Sequence, residues 1–249
     1  MTQPKIKFFT YLNETKQIVK KILSKNPDFI QTESGFDFVV VLGGDGSFVS
    51  ALNQFKFDNV KIILINVGHL GFLSNEFEDY HIDLSKLKFT KYPLLDINDG
   101  NEHYYAINEV IVGSNNTSTN VDVSINNEYL YSYFGTGFSV NTSIGSTGYI
   151  RGMNGPMLKS KNLYCFAELA PSLYANRKSL LQNLVLDQSD KLQIKLDTNQ
   201  SKFIKIDGQN HELSSNEFNI SLINSTAEVV DLFDNSVWVK RIKRTIIGE

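Results

Sequence analysis

Apolar and polar positions divide this chain into two unlike stretches. Up to about residue 91, apolar runs alternate with segments of helical spacing. Lys5-Ile6-Lys7-Phe8-Phe9, Phe38-Val39-Val40-Val41-Leu42 and Lys61-Ile62-Ile63-Leu64-Ile65 read as strands. Between them, Thr15 to Ser24 places Ile18, Ile22 and Leu23 at helical spacing, Asn26-Pro27 breaks that helix, and Phe48 to Phe55 predicts another. Strand and helix in alternation imply a parallel sheet with helices on its faces.

From about Tyr92 the pattern changes. Ile107 to Val112, Val121 to Ile125, Tyr129 to Phe134, Leu184 to Leu186, Leu192 to Leu196, Phe203 to Ile206 and Phe218 to Ile223 are short, alternating or β-branched. Turns rich in Asn, Gly and Asp separate them, and Asn126-Asn127 before Glu128 reads as a hairpin turn. The expected fold is an α/β N-terminal domain with a parallel sheet over residues 1–91, then an all-β, sandwich-like C-terminal domain over 92–236. A last segment, 237–249, is either strand or short helix and is free to return to the first domain.

The chemistry concentrates where the second strand ends. Gly43-Gly44-Asp45-Gly46 follows Phe38 to Leu42 directly. Glycine permits φ > 0 and removes the Cβ that would hold a ligand away, so Gly43, Gly44 and Gly46 form a candidate phosphate loop. The free N–H groups of the following helix and its dipole favour an anion. Asp45 lies inside that cradle. A carboxylate beside a phosphate repels it unless a metal neutralises the pair or the carboxylate handles a proton, and either role points to phosphoryl transfer. The plainer alternative is a strand-turn-helix corner in which Asp45 caps the helix.

Composition narrows the field. The 249 residues are 41% hydrophobic, enough for a sizeable core, and the formal net charge of −3 gives no bulk reason to expect nucleic acid. The one basic block, Lys240-Arg241-Ile242-Lys243-Arg244, reads as a solvated end rather than a nucleic-acid patch. Cys165 is the single cysteine, so no intrachain disulfide and no cysteine-based zinc site are expected. No stretch approaches the length of a membrane span and residues 1–7 lack an apolar signal core, so a cytoplasmic protein is expected. No spacing of metal-ligating residues stands out.

Other clusters carry weaker signals. Asn66-Val67-Gly68-His69-Leu70-Gly71-Phe72-Leu73 follows the third strand. Asn66 and His69 are secondary candidates there, and a turn packed by Leu70, Phe72 and Leu73 explains the stretch equally well. Asn108-Glu109 offers an amide and a carboxylate that suit a base edge and sugar hydroxyls. In Gly145-Ser146-Thr147-Gly148-Tyr149, hydroxyls and backbone N–H groups suit phosphate or base, and Tyr149 can stack on a planar ring. Asp207-Gly208-Gln209 puts a second carboxylate in a turn, which is ordinarily a hairpin.

In their order these clusters resemble the NAD kinase family, over nearly the whole chain through Gln209. The resemblance implies transfer of the γ-phosphoryl group of ATP, or of polyphosphate, to the adenosine ribose 2′-hydroxyl of NAD, with magnesium accompanying ATP. It implies Asp45 as proton acceptor, Asn108 and Glu109 as adenosine contacts, and Ser146, Thr147, Gly148 and Tyr149 as the adenine side, with contacts reaching Gly152. Gly46, Thr136 and Asn176 join the expected NAD-binding set, Asn176 toward the nicotinamide half and Asp207 near the ribose. It also implies a homodimer or homotetramer, with no nucleic-acid or membrane partner. The chain departs from the family's pattern where Phe134-Gly135-Thr136-Gly137 replaces a common Arg-Gly-Asp-Gly, and Ser143-Ile144 and Gly148 are also unusual. Two other readings compete: a lipid kinase, which shares the Gly-Gly-Asp-Gly loop but predicts an apolar cleft or basic membrane-facing surface, and a dinucleotide sensor without turnover.

Overall fold

The computed structural model describes residues 3–11, 15–67, 71–75, 77–114, 117–174, 176–197, 202–212, 215–232 and 234–248. Two compact units form, one from Met1–Tyr92 with Ser225–Glu249 and the other from Pro93–Asn224.

The first unit opens with β1 (Lys5–Phe9), α1 (Lys16–Lys25), β2 (Ile30–Gln31), β3 (Phe38–Gly43), α2 (Asp45–Phe55) and β4 (Lys61–Asn66). The strands lie in the order β2-β1-β3-β4, every pair parallel. Val39 to Leu42 and Ile62 to Ile65 are buried throughout. Helices packed on both faces of a parallel sheet leave no solvated side, which is why these strands read as continuous apolar runs. Ile22 of α1 enters a core with Ile6, Val40, Leu42, Ile63 and Ile65. The helix stops at buried Asn26, whose amide donates to Ile22 O (2.7 Å) and Tyr80 O (2.9 Å) while its Oδ1 accepts from Ile82 N (2.8 Å). The polar break in the sequence is therefore a buried tie.

The second unit is antiparallel. Its elements are β5 (Phe89–Asn98), β6 (His103–Ala106), β7 (Glu109–Ser114), β8 (Thr119–Ile125), β9 (Glu128–Gly135), β10 (Gly137–Thr142), β11 (Leu163–Leu169), β12 (Leu184–Asp187), β13 (Lys191–Asp197), β14 (Lys202–Ile206), β15 (Gln209–His211) and β16 (Glu217–Val230). One sheet runs β12-β11-β10-β7-β14-β15, and β16, β13, β8 and β9 follow one another in a second. Alternate residues of both sheets, among them Val110, Val112, Val123, Phe138, Val140, Phe166, Ile194 and Phe218, make one core. Asn126 (φ 53°) and Asn127 (φ 67°) both take the left-handed conformation between β8 and β9, as the tight hairpin requires.

The unit boundary falls inside β5 and inside β16. The sequence expected the second domain to run to 236, but the chain re-enters the first unit at Ser225, where the far end of β16 pairs with β4 in parallel. Polar Asn224-Ser225-Thr226 looks like a strand end. Instead Ser225 is buried, its hydroxyl accepting from Tyr92 N (3.2 Å) and donating to Ala227 O (2.6 Å). The last segment is helical: α3 (Asn235–Ile242) passes into a π-helical turn, Lys243–Ile247.

Strands β10 and β11 have no counterpart in the sequence expectation, although they are central. Four of the six residues of Gly137-Phe138-Ser139-Val140-Asn141-Thr142 are small or polar, yet every residue is buried. Phe138 is fully buried, with its ring 5.8 Å from that of Phe218 and 6.4 Å from that of Phe166. Phe138→Ala should therefore cost about 3–5 kcal/mol of stability in urea denaturation, and a loss below about 1 kcal/mol would contradict its place in this core.

Candidate active site

In the first unit, β3 stops at Gly43 and the chain turns at once into α2. Gly43 pairs with Asn66, so the carboxyl ends of β3 and β4 are level and the candidates Asp45 and Asn66 follow from neighbouring strands. None of Gly43, Gly44 and Gly46 has positive φ. Their value lies in the missing Cβ. At Gly43 a Cβ would run into the Ser47 side chain, whereas at Gly44 and Gly46 it would meet nothing within 4 Å, leaving the backbone open to a ligand.

Asp45 is the first residue of α2, which begins earlier than the predicted Phe48. It does not cap the helix: the cap residue is Gly44, which has no side chain to bond the free amides there. The carboxylate turns instead to the loop after β4, where Oδ2 accepts from Phe72 N (2.8 Å) and Oδ1 from Leu73 N (3.0 Å). Gly71 is held close, since a Cβ there would lie 2.6 Å from Asp45 Oδ1. Each oxygen thus has one fixed donor and keeps lone-pair capacity for another. His69, Gly68 and Leu70 lie outside the described residues.

The second unit holds the other candidates. Asp207 sits in the β14–β15 turn with φ 48°, and it works as a clamp. Its Oδ2 accepts from Ile107 N (2.9 Å), and its Oδ1 accepts from Asn108 N (2.7 Å) and Glu109 N (3.2 Å). Expected beside a ribose, Asp207 is committed to shaping the Asn108-Glu109 segment. Gly145 presses on the same segment, with no room for a Cβ beside the Asn108 carbonyl, and its N–H donates to Thr142 Oγ1 (3.1 Å). Ser146 also departs from expectation. It is 1% exposed, and its hydroxyl donates to Ser143 O (2.7 Å) and accepts from Leu158 N (3.0 Å), so it holds the turn.

Thr147 is half-buried, Gly148 and Gly152 are exposed, and Tyr149 is 47% exposed. Gly148 stands beside Glu109: a Cβ there would lie 3.8 Å from Glu109 Oε2. Thr136 spends its hydroxyl on Leu169 O (3.2 Å), and Asn176 is exposed with φ 58°. The guanidinium of Arg177 lies 3.5 Å from the ring centroid of Phe134, a stacked cation that the sequence did not suggest.

Glu109 is the third carboxylate among these candidates. Its Oε2 is buried without a hydrogen-bond partner. Asn141, its cross-strand partner on β10, likewise has a buried Nδ2 without one, as does Ser143 Oγ nearby in sequence. Orphaned polar atoms of this kind mark a place for a ligand or water. Asn141 was not among the sequence candidates, because nothing in a lone Asn within an unrecognised strand signals its burial. Burial, and then the negative charge of Asp207, push the Glu109 carboxyl from its ordinary 4.5 up to about 7.

Between those values the folded chain holds a proton that the unfolded chain has already lost. Stability therefore falls as pH rises through this window, and the whole penalty is present above it. Glu109→Gln should melt higher than the unsubstituted protein by a margin that grows between about pH 5 and pH 7.5. A margin independent of pH would rule out this titration.

Comparison with known proteins places these features in a family. The family model for the ATP-NAD kinase N-terminal domain matches residues 10–92, and that for the ATP-NAD kinase C-terminal domain matches residues 107–231. An NAD kinase of Mycoplasmoides gallisepticum is 30% identical over 247 residues, covering 93% of this chain and 89% of that one. An NAD kinase of Streptococcus gordonii is 26% identical over 272 residues, covering 100% and 97%. Among solved structures, yeast NADH kinase complexed with NADH has a TM-score of 0.76 at 18% identity, covering 100% of this chain and 88% of that one. An Archaeoglobus fulgidus NAD kinase in complex with ATP has a TM-score of 0.74 at 19% identity, covering 98% and 97%.

Proposed function

The chain belongs to the NAD kinase family and makes NADP from NAD, and on that premise we propose how its residues divide the work. The acceptor is the adenosine ribose 2′-hydroxyl and the donor is the γ-phosphoryl group of ATP, with polyphosphate the alternative donor. Asp45 takes the hydroxyl's proton as the new O–P bond forms. The observation that carries this is the hold on its carboxylate, fixed by Phe72 N and Leu73 N with acceptor capacity to spare. Because the amides fix both oxygens before substrate arrives, no reorganisation of Asp45 is needed at the moment of transfer.

Gly44 and Gly46 leave the backbone at the start of α2 accessible to phosphate oxygens, and the helix dipole favours their charge. Among the described residues no group of three or more His, Cys, Asp or Glu side chains could cage a metal. Magnesium would accompany ATP and supply charge neutralisation at its phosphates.

In the second unit, Asn108 and Glu109 recognise adenosine from a segment that Asp207 shapes. The orphaned Glu109 Oε2 and Asn141 Nδ2 offer that ligand an acceptor and a donor, or two donors when Glu109 is protonated. Tyr149 stacks on the base, with Thr147, Gly148 and Gly152 along the same segment, and Thr136 and Asn176 serve the nicotinamide half. Ser146 contributes by holding the turn. Assembly into a homodimer or homotetramer follows from the family reading. No helix among the described residues is long and apolar enough to cross a membrane, and a cytoplasmic setting fits a chain whose one cysteine is a buried free thiol.

Asp45→Asn tests the assignment. It should lower kcat for NADP formation from NAD, ATP and magnesium by about 10²–10⁴-fold. Activity within about threefold of the unsubstituted protein would remove Asp45 from the proton-acceptor role.

A further inference from the structure

The basic block near the end of the chain is not a solvated end. Two of its members turn inward. Arg241 is 3% exposed and its Nη2 donates to Asn75 Oδ1 (3.2 Å) and Ser74 O (3.4 Å). Arg244, in the π-helical turn after α3, donates through Nη2 to Gly71 O (2.8 Å) and Ser74 Oγ (3.1 Å). The Ser74 hydroxyl in turn donates to Gly71 O (3.0 Å), so the Gly71 carbonyl is held from both directions.

That carbonyl belongs to the same peptide group as the Phe72 N–H. A trans peptide is planar and stiff, with its C=O and N–H pointing opposite ways. One end of this plane accepts from the Arg244 guanidinium and the other donates to the Asp45 carboxylate. A single rigid group is thus strung between a cation and an anion, each hydrogen bond charge-assisted and each polarising the peptide in the sense that strengthens the other. The π turn matters because it carries one more residue per hydrogen-bonded loop than an α-turn, and such local widening is frequent at functional positions.

We propose that Arg244 is a positioning residue for the transfer reaction: it fixes the orientation of the Gly71–Phe72 peptide and, through it, of the Asp45 carboxylate. The proposal rests on the reading of Asp45 as proton acceptor. Without Arg244 the Gly71 carbonyl keeps only the neutral Ser74 hydroxyl and the peptide plane is less firmly held; displacement of a catalytic group by even about 1 Å can cost on the order of 10²-fold in rate.

The experiment compares Arg244→Ala, Arg244→Lys and Lys243→Ala with the unsubstituted protein, each also with Asp45→Asn. Lys243 is exposed in the same turn and controls for lost charge. Arg244→Ala should lower kcat on the order of 10²-fold while KM for NAD moves less than about threefold, and Arg244→Lys should recover part of the loss. On the Asp45→Asn background the same change should cost no more than about twofold, because the group it positions is already disabled. Equal cost on both backgrounds, or kcat of Arg244→Ala within about threefold of normal, overturns the proposal. Hydrogen exchange at the Phe72 amide reads the contact without turnover. Protection lost in Arg244→Ala and kept in Lys243→Ala supports the brace even if Asp45 proves not to be the proton acceptor, and unchanged protection overturns it. Should Arg244→Ala fail to fold, Arg244→Gln is read in the same way.

Discussion

A carboxylate withdrawn from water needs donors, and two aspartates of this protein find them in the backbone of a loop distant in sequence. Asp45 binds two successive amides of the loop after β4, and Asp207 binds three in the segment that opens β7. In each case the charge is satisfied and the loop acquires a shape that its own sequence does not dictate. Asp45 projects from the turn between β3 and α2, Asp207 from a tight hairpin, and both mounts are stiff. The loops inherit that stiffness. What distinguishes the two is spare capacity: Asp207 Oδ1 is already shared between two donors, whereas each Asp45 oxygen serves one.

Glu109 shows the opposite treatment. It lies beside Asp207, is largely buried, and one of its oxygens has no partner. Its neighbour has taken the local supply of backbone donors, so ionising Glu109 places a second negative charge where nothing offsets it. A carboxyl whose surroundings raise its proton affinity is a recurring property of sites that handle charged or proton-bearing ligands. For Glu109 the cause is burial first and the charge of Asp207 second.

The sequence disclosed elements whose burial is uniform or strictly alternating, and it disclosed tight turns. β3 and β4 were plain from apolar runs, α1 from its spacing and the Asn126-Asn127 hairpin from its residue types. β10 was hidden because Ser139, Asn141 and Thr142 are polar yet buried, which composition does not reveal. Ser225 hid the continuation of β16 for the same reason. The Gly-Gly-Asp-Gly loop was legible as chemistry, but the use of its glycines was only half right: close approach, without left-handed backbone. Asp207 and Ser146 were legible as unusual residues, but not as holders of backbone segments, since such hydrogen bonds leave no mark in spacing. Arg241 and Arg244 looked like surface charge because arginine usually is.

The path of the chain has a consequence for how the protein comes into being. The first unit is interrupted after Tyr92 and completed only from Ser225, when the far end of β16 pairs with β4 and α3 follows. During synthesis from the N-terminus, β1 to β4 emerge without that neighbouring strand and without the guanidinium groups that grip residues 71–75. Nascent chains generally fold domain by domain as each is finished. Here the second unit can close while the first is still missing its last pieces. Asp45 is made early, but its full surroundings exist only once Arg244 has been added, about two hundred residues later.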